Sequence, residues 1–190
     1  MEALTHEDKT FSKIVYADKE VKNREFERCI FKDCDLSNSN FSNSRFTDCT
    51  FISCNLSMIK LNRSGLNNVV FKECKLLGIN FHECEDFLFS VRFENGVLDY
   101  SSFVGKKMPK TIFTGTSLKS VVFAKANLTT AKFDNTDLLN AVFEETILKE
   151  ADFLTAFNYR IDPELNTMNK AKFSLNGVAG LLFKYDIKLE

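Results

Sequence analysis

Large apolar residues return at every fifth position of this 190-residue chain, a period that neither an α-helix nor a β-strand generates. One series runs Phe11, Tyr16, Val21, Phe26, Phe31, Leu36, Phe41, Phe46, Phe51, Leu56, Leu61, Leu66, Phe71, Leu76, Phe81. After "HECEDF" the phase advances by two residues. A second series then runs Leu88, Phe93, Leu98, Phe103, Met108, Phe113, Leu118, Phe123, Leu128, Phe133, Leu138, Phe143, Leu148, Phe153. Fifteen of the 20 Phe fall on these two registers, so the spacing selects Phe by shape. Two residues before each centre the side chain is small or moderate, as at Cys29, Ser39, Ser44, Ala126, Thr136 and Ala151. The other three places are mostly polar, with exceptions such as Val70, Val122 and Ile147.

Two inward and three outward residues per repeat fit one short extended side plus a turn. Four such sides close a square coil of about twenty residues, and coils stacked at about 4.8 Å pair their backbones above and below. The pattern therefore predicts an all-β solenoid of about seven coils, roughly 35 Å long. Residues twenty apart form columns, which makes Phe31, Phe51, Phe71, Phe113, Phe133 and Phe153 the expected structural core. The division expected is an N-terminal cap at 1–10, a solenoid at 11–157 with its phase shift at 82–88, and a C-terminal cap at 158–190. In that cap Leu175, Val178, Leu181, Leu182 and Tyr185 follow helical spacing behind Ser174, a suitable N-cap. Gly177 and Gly180 weaken such a helix by roughly 1 kcal/mol each, which implies a close neighbour. Ile187 and Leu189 alternate after it like a short strand. The cap covers the open end of its own chain or exchanges with a twin.

Charge changes the picture only locally, since the net charge is -1. Lys106, Lys107, Lys110, Lys119, Lys125 and Lys132 give a basic bias, followed by Asp134, Asp137, Glu144, Glu145, Glu150 and Asp152 at outward phases. Successive repeats occupy successive sides, so these acids form a belt around the rod. The belt is a solvated coil or a negative band offered to a basic groove. No strong overall charge points to direct nucleic-acid binding. No apolar stretch is long enough for a bilayer and the first ten residues lack a signal-peptide core, so a cytoplasmic protein is expected.

Cys29, Cys34, Cys49 and Cys54 read C-x4-C-x14-C-x4-C, a spacing that invites zinc. However, all six cysteines, including Cys74 and Cys84, sit at the small inward phase, so packing thiols and no metal are expected. His6 and His82 are isolated in sequence. Glycines 65, 78, 96, 105 and 115 read as turn residues. No catalytic triad order or phosphate-cradling loop occurs, and a rod filled with Phe offers no cleft for a small-molecule substrate. A non-enzymatic chain without a cofactor follows.

The stretches "AKANLTTAKFDNTDLLNAVF" and "CDLSNSNFSNSRF" resemble the A(D/N)LXX pattern of the pentapeptide-repeat family over residues 11–153. That resemblance implies a right-handed quadrilateral β-helix. The lead-in "EDKTF" and the tail from "NYRIDPEL" onward look like the Qnr-type quinolone-resistance branch. Membership there implies a homodimer through the C-terminal helix, with Leu175, Val178, Leu181, Leu182, Tyr185 and Ile187 at the interface. It also implies a DNA-mimicking surface that binds DNA gyrase or topoisomerase IV and protects it against quinolones, the acidic belt being the contact. The rival reading is a pentapeptide-repeat scaffold for another protein partner. Loop-bearing members carry long insertions, whereas this chain has only the two-residue phase change.

Overall fold

A computed structural model describes residues 4–188 of the chain. The repeat becomes one extended side because its third and first residues, the centre and the small residue two before it, point inward on the pleat. Two residues after nearly every centre the backbone turns through the left-handed region, with φ between 48° and 68°, as at Asp33, Asn38, Asn43 and Asp48. Asn and Asp tolerate that conformation best, which explains part of the polar bias. The residue before the centre fixes the turn from its other end. Asp35 accepts the N–H of Ser37 (3.1 Å), Asn55 that of Ser57 (3.2 Å) and Asn127 that of Thr129 (3.0 Å). The D/N of the pattern is thus a local cap for the corner, independent of any partner.

Among the described residues there are thirteen short strands, all paired in parallel. One side of the coil carries β1 (Leu4–Glu7), β3 (Arg24–Glu27), β5 (Arg45–Thr47) and β7 (Gly65–Asn67). An adjacent side carries β2 (Thr10–Ser12), β4 (Ile30–Lys32), β6 (Thr50–Ile52), β8 (Val69–Lys72), β9 (Val91–Glu94), β10 (Ile112–Thr114), β11 (Lys132–Asp134), β12 (Asp152–Phe153) and β13 (Lys172–Phe173). Corner backbones join the ladder too, as where Asn55 N donates to Cys34 O at 2.9 Å and Leu56 N to Lys75 O at 2.7 Å. The result is a quadrilateral solenoid of about eight turns, one more than the period suggested. The register starts earlier, because His6 occupies an inward position and stacks on Phe26 at 5.0 Å. It also ends later, because β13 continues the ladder beyond residue 157.

The core is a pile of rings. Along the nine-stranded side, Phe11, Phe31, Phe51, Phe71, Phe93, Phe113, Phe133, Phe153 and Phe173 stack nearly parallel, with successive centroids 4.5 to 5.4 Å apart. A second pile of Phe81, Phe103, Phe123 and Phe143 meets the first edge-on. Coil spacing and ring spacing coincide, so each Phe fills the gap left by the one below without changing rotamer.

The phase change is resolved at 86–90. Glu85 N still donates to Ser64 O in the first register (3.0 Å), while Val91 already pairs with Val69 in the second. The two surplus residues bulge outward. Leu88, expected as the first centre of the second series, is instead 57% exposed with φ +56°, beside Phe87 at 79% exposed. Phe89 turns into the core in its place.

Lys106 also departs from expectation. Counted above in the local basic bias, it is 1% exposed, because its place two residues before Met108 is an inward one. In undisturbed repeats the carbonyl at this phase accepts from the ladder, as Ser44 O does from Gly65 N at 2.9 Å. At the bulge, Cys84 O accepts from Lys106 Nζ at 2.5 Å. The same ammonium donates to Glu85 O (3.3 Å) and Asp86 Oδ1 (2.7 Å) and lies 4.8 Å from the centre of the Phe89 ring. A buried lysine with three acceptors and an aromatic face is a satisfied one.

The glycines divide by role. Gly78, Gly105 and Gly115 are corner residues at positive φ, whereas Gly65 lies in β7 and Gly96 takes the small inward place, where a Cβ would stand 3.0 Å from Cys74 O.

Candidate partner-binding surface

The interior contributes no chemistry that a ligand could reach. All six cysteines are free and buried, and the thiols of Cys29, Cys34, Cys49, Cys54 and Cys74 are held against backbone carbonyls, as Cys49 Sγ is by Phe26 O and Thr47 O (both 3.4 Å). Burial pushes the Cys49 and Cys84 thiols up to about 12. Among the described residues no group of three or more His, Cys, Asp or Glu is placed to hold a metal ion. His6 is absorbed into the ring pile, and His82 Nδ1 lies 3.1 Å from Ser102 Oγ on the surface. The native protein should therefore resist a thiol reagent over minutes and release six reactive thiols on denaturation. Fast labelling of any one in the native state would place that cysteine outside the core.

The outer surface is where a partner can act. The six acids of the belt do lie on all four sides of the rod, but they are not equivalent. Asp137 and Asp152 are half-buried and fix corners, accepting from Leu139 N (3.2 Å) and Leu154 N (3.0 Å). Each also faces a lysine, Lys119 at 3.3 Å and Lys172 at 3.7 Å. Asp134 is likewise half-buried in β11. Glu144, Glu145 and Glu150 are exposed. Glu145 and Glu150 have only distant partners, Lys125 and Lys149, both at 3.9 Å. The belt thus reduces to three projecting carboxylates.

Two acids outside the belt extend this surface. Glu145 N donates to Leu165 O, so the segment carrying Asp162 and Glu164 lies one coil beyond Glu144 and Glu145 on the same side. Lys184 from the C-terminal cap bridges Asp162 (2.9 Å) and Glu164 (2.7 Å), and Tyr185 Oη donates to Glu164 (3.1 Å). Hydrogen bonding to Lys184 holds both carboxyls below the usual range. The signal for this pair was their place twenty residues beyond Val142 and Glu144, hidden because the centre there is Pro163.

The cap itself is shorter than its sequence spacing suggests. Ser174 Oγ accepts from Gly177 N (3.2 Å), but the chain then forms a 3-10 turn, one α-helical turn α1 (Ala179–Leu182) and another 3-10 turn. Gly177 and Gly180 are required by Tyr159: a Cβ on Gly180 would stand 2.2 Å from Tyr159 O, and one on Gly177 2.0 Å from its Oη. Leu181 packs on the core, whereas Leu175 is 91% exposed and Tyr185 and Ile187 are exposed. Val178 and Leu182 are partly buried. Leu189 lies outside the described residues. An open groove of about 430 Å³ runs between Leu154, Phe157, Tyr159, Asn176 and the two glycines. No helix among the described residues is long and apolar enough to cross a membrane.

Known proteins share this architecture. A search of the curated proteins by sequence returned no match. Among solved structures, trypsin-treated QnrB1, a plasmid-mediated fluoroquinolone resistance protein, superimposes with a TM-score of 0.62 at 17% identity, over 99% of this chain and 98% of its own. Full-length QnrB1 gives 0.57 at 16% identity, over 96% of this chain and 100% of its own. At such identity the likeness is one of fold. The family model for the pentapeptide repeat region matches residues 24–103, and that for pentapeptide repeats in eight copies matches 126–156, which with the five-residue register establishes that the chain belongs to the pentapeptide-repeat family.

Proposed function

We propose that this chain is a non-enzymatic, cytoplasmic protein that binds a type II topoisomerase, DNA gyrase or topoisomerase IV, as a DNA-like surface and protects it against quinolones. The observation that carries this reading is the end-to-end overlay on a fluoroquinolone resistance protein, which leaves almost no part of either chain over. The projecting Glu144, Glu145 and Glu150 supply negative charge at two successive corners of one coil for a basic groove. A homodimer through the C-terminal cap fits the reading, because Leu175, Tyr185 and Ile187 leave apolar area uncovered beside an open groove.

The test is gyrase supercoiling with and without a quinolone, in the presence of the parent protein and of a variant with Glu144, Glu145 and Glu150 changed to Lys. The parent should protect, with binding that weakens as salt rises and competes with duplex DNA. The variant should stay folded, since none of the three is an inward or corner-capping residue, and should lose protection. Undiminished protection by the folded variant removes these acids from the mechanism. A parent without effect on gyrase leaves the scaffold reading. Deletion of residues 174–190 should in parallel convert dimer to monomer or aggregate by light scattering, and an unaltered dimer would sink the interface.

A further inference from the structure

We propose that the 86–90 bulge is a preformed hydrophobic anchor, in which Lys106 holds the Phe87–Leu88 tip for insertion into an apolar socket of the topoisomerase partner. This rests on the partner proposed above. Three independent features meet at the bulge. The tip puts two large apolar side chains into solvent, where Phe87 at 79% is among the most exposed of the chain. An anchor of this kind, an aromatic with a neighbouring aliphatic, is what dominates protein interfaces when its socket excludes water.

The base of the bulge is rigid. Lys106 Nζ gathers Cys84 O, Glu85 O and Asp86 Oδ1 immediately before the tip, and Phe89 immediately after it sits under the same ammonium. Both ends of the tip are therefore tied to one buried cation. The contacts that supply Cys84 O and Glu85 O with a donor also hold the tip between two fixed ends, and a clamped anchor loses little entropy on binding.

The surroundings favour a protein occupant. A shallow cavity of about 180 Å³ beside the tip is bordered by Arg45 and Glu85, one of each sign, so the site offers no field for a polyanion. It does offer a polar rim around an apolar centre, the arrangement of a protein interface.

The experiment measures the affinity of the full chain for purified DNA gyrase. Phe87→Ala with Leu88→Ala should weaken binding about tenfold or more and leave the melting temperature unchanged. Lys106→Met should weaken it comparably in the parent. In the chain already lacking the tip, Lys106→Met should cause no further loss of affinity, although it lowers the melting temperature in both. Parent-like binding by the tip variant overturns the anchor. Equal loss from Lys106→Met with and without the tip makes Lys106 structural only. A tip variant that dimerises less while binding gyrase normally assigns the tip to a second copy and overturns the proposal. A parent with no affinity for gyrase overturns both this inference and the reading beneath it.

Discussion

Phe133→Ala is expected to lower stability by about 3 to 5 kcal/mol, measured by urea unfolding. Phe133 lies between Phe113 (centroid 5.1 Å, interplanar angle 8°) and Phe153 (4.5 Å, 9°), with Phe123 and Phe143 edge-on at 6.2 and 6.3 Å. The cavity cannot collapse, because each neighbouring ring is fixed by the backbone ladder of its own coil and moving one would break hydrogen bonds on both sides. In a structure whose coils contact only their neighbours, the loss also weakens coupling between the segments above and below. A broadened or split transition should accompany it. Phe51→Ala, between Phe31 and Phe71 at 4.6 and 5.1 Å, should behave alike in the first half. A cost below about 1 kcal/mol at both places would contradict a close-packed pile.

Lys106→Met should be the most damaging change of a charged residue, at about 2 to 4 kcal/mol. Met fills the same space, so the effect isolates the ammonium. Its loss leaves Cys84 O and Glu85 O without their donor at a place where the bulge has interrupted the ladder. Asp86 adds little, because that residue is 71% exposed and water replaces its partner. Asp86→Asn should accordingly cost less than about 1 kcal/mol. Hydrogen exchange provides the local check: protection should fall in residues 84–91 and 106–108 and persist in coils several turns away. Unchanged stability of Lys106→Met would mean that the two carbonyls find other donors.

Most of the fold is legible in the sequence because the solenoid repeats one local decision. Each five-residue unit states its inward centre, its small partner and its corner residue, and the twenty-residue step follows by closing the square. The same regularity explains why the cysteines read correctly as packing groups: their phase, unlike their mutual spacing, is shared with Ser, Thr and Ala. The candidate surface was less legible. Outward residues are unconstrained by the period, so only coordinates separate Asp137 and Asp152, which cap corners, from Glu144 and Glu150, which project.

The amino-acid sequence by itself determined the architecture, the columns of Phe and the place of the irregularity, since these depend on period and side-chain volume. Tertiary structure alone decided what happens where the period fails. Two surplus residues can be accommodated by turning Leu88 or Phe89 inward, and the choice is made by which side chain reaches the core once Val91 rejoins Val69 across the ladder. Lys106 stands at an inward phase that most other repeats fill with small or moderate, uncharged residues. Its burial is favourable only because carbonyls and a carboxylate from residues 84–86, twenty to twenty-two positions earlier, are brought one coil above it, and a hydrogen-bonding environment of that kind exists only after the chain has coiled.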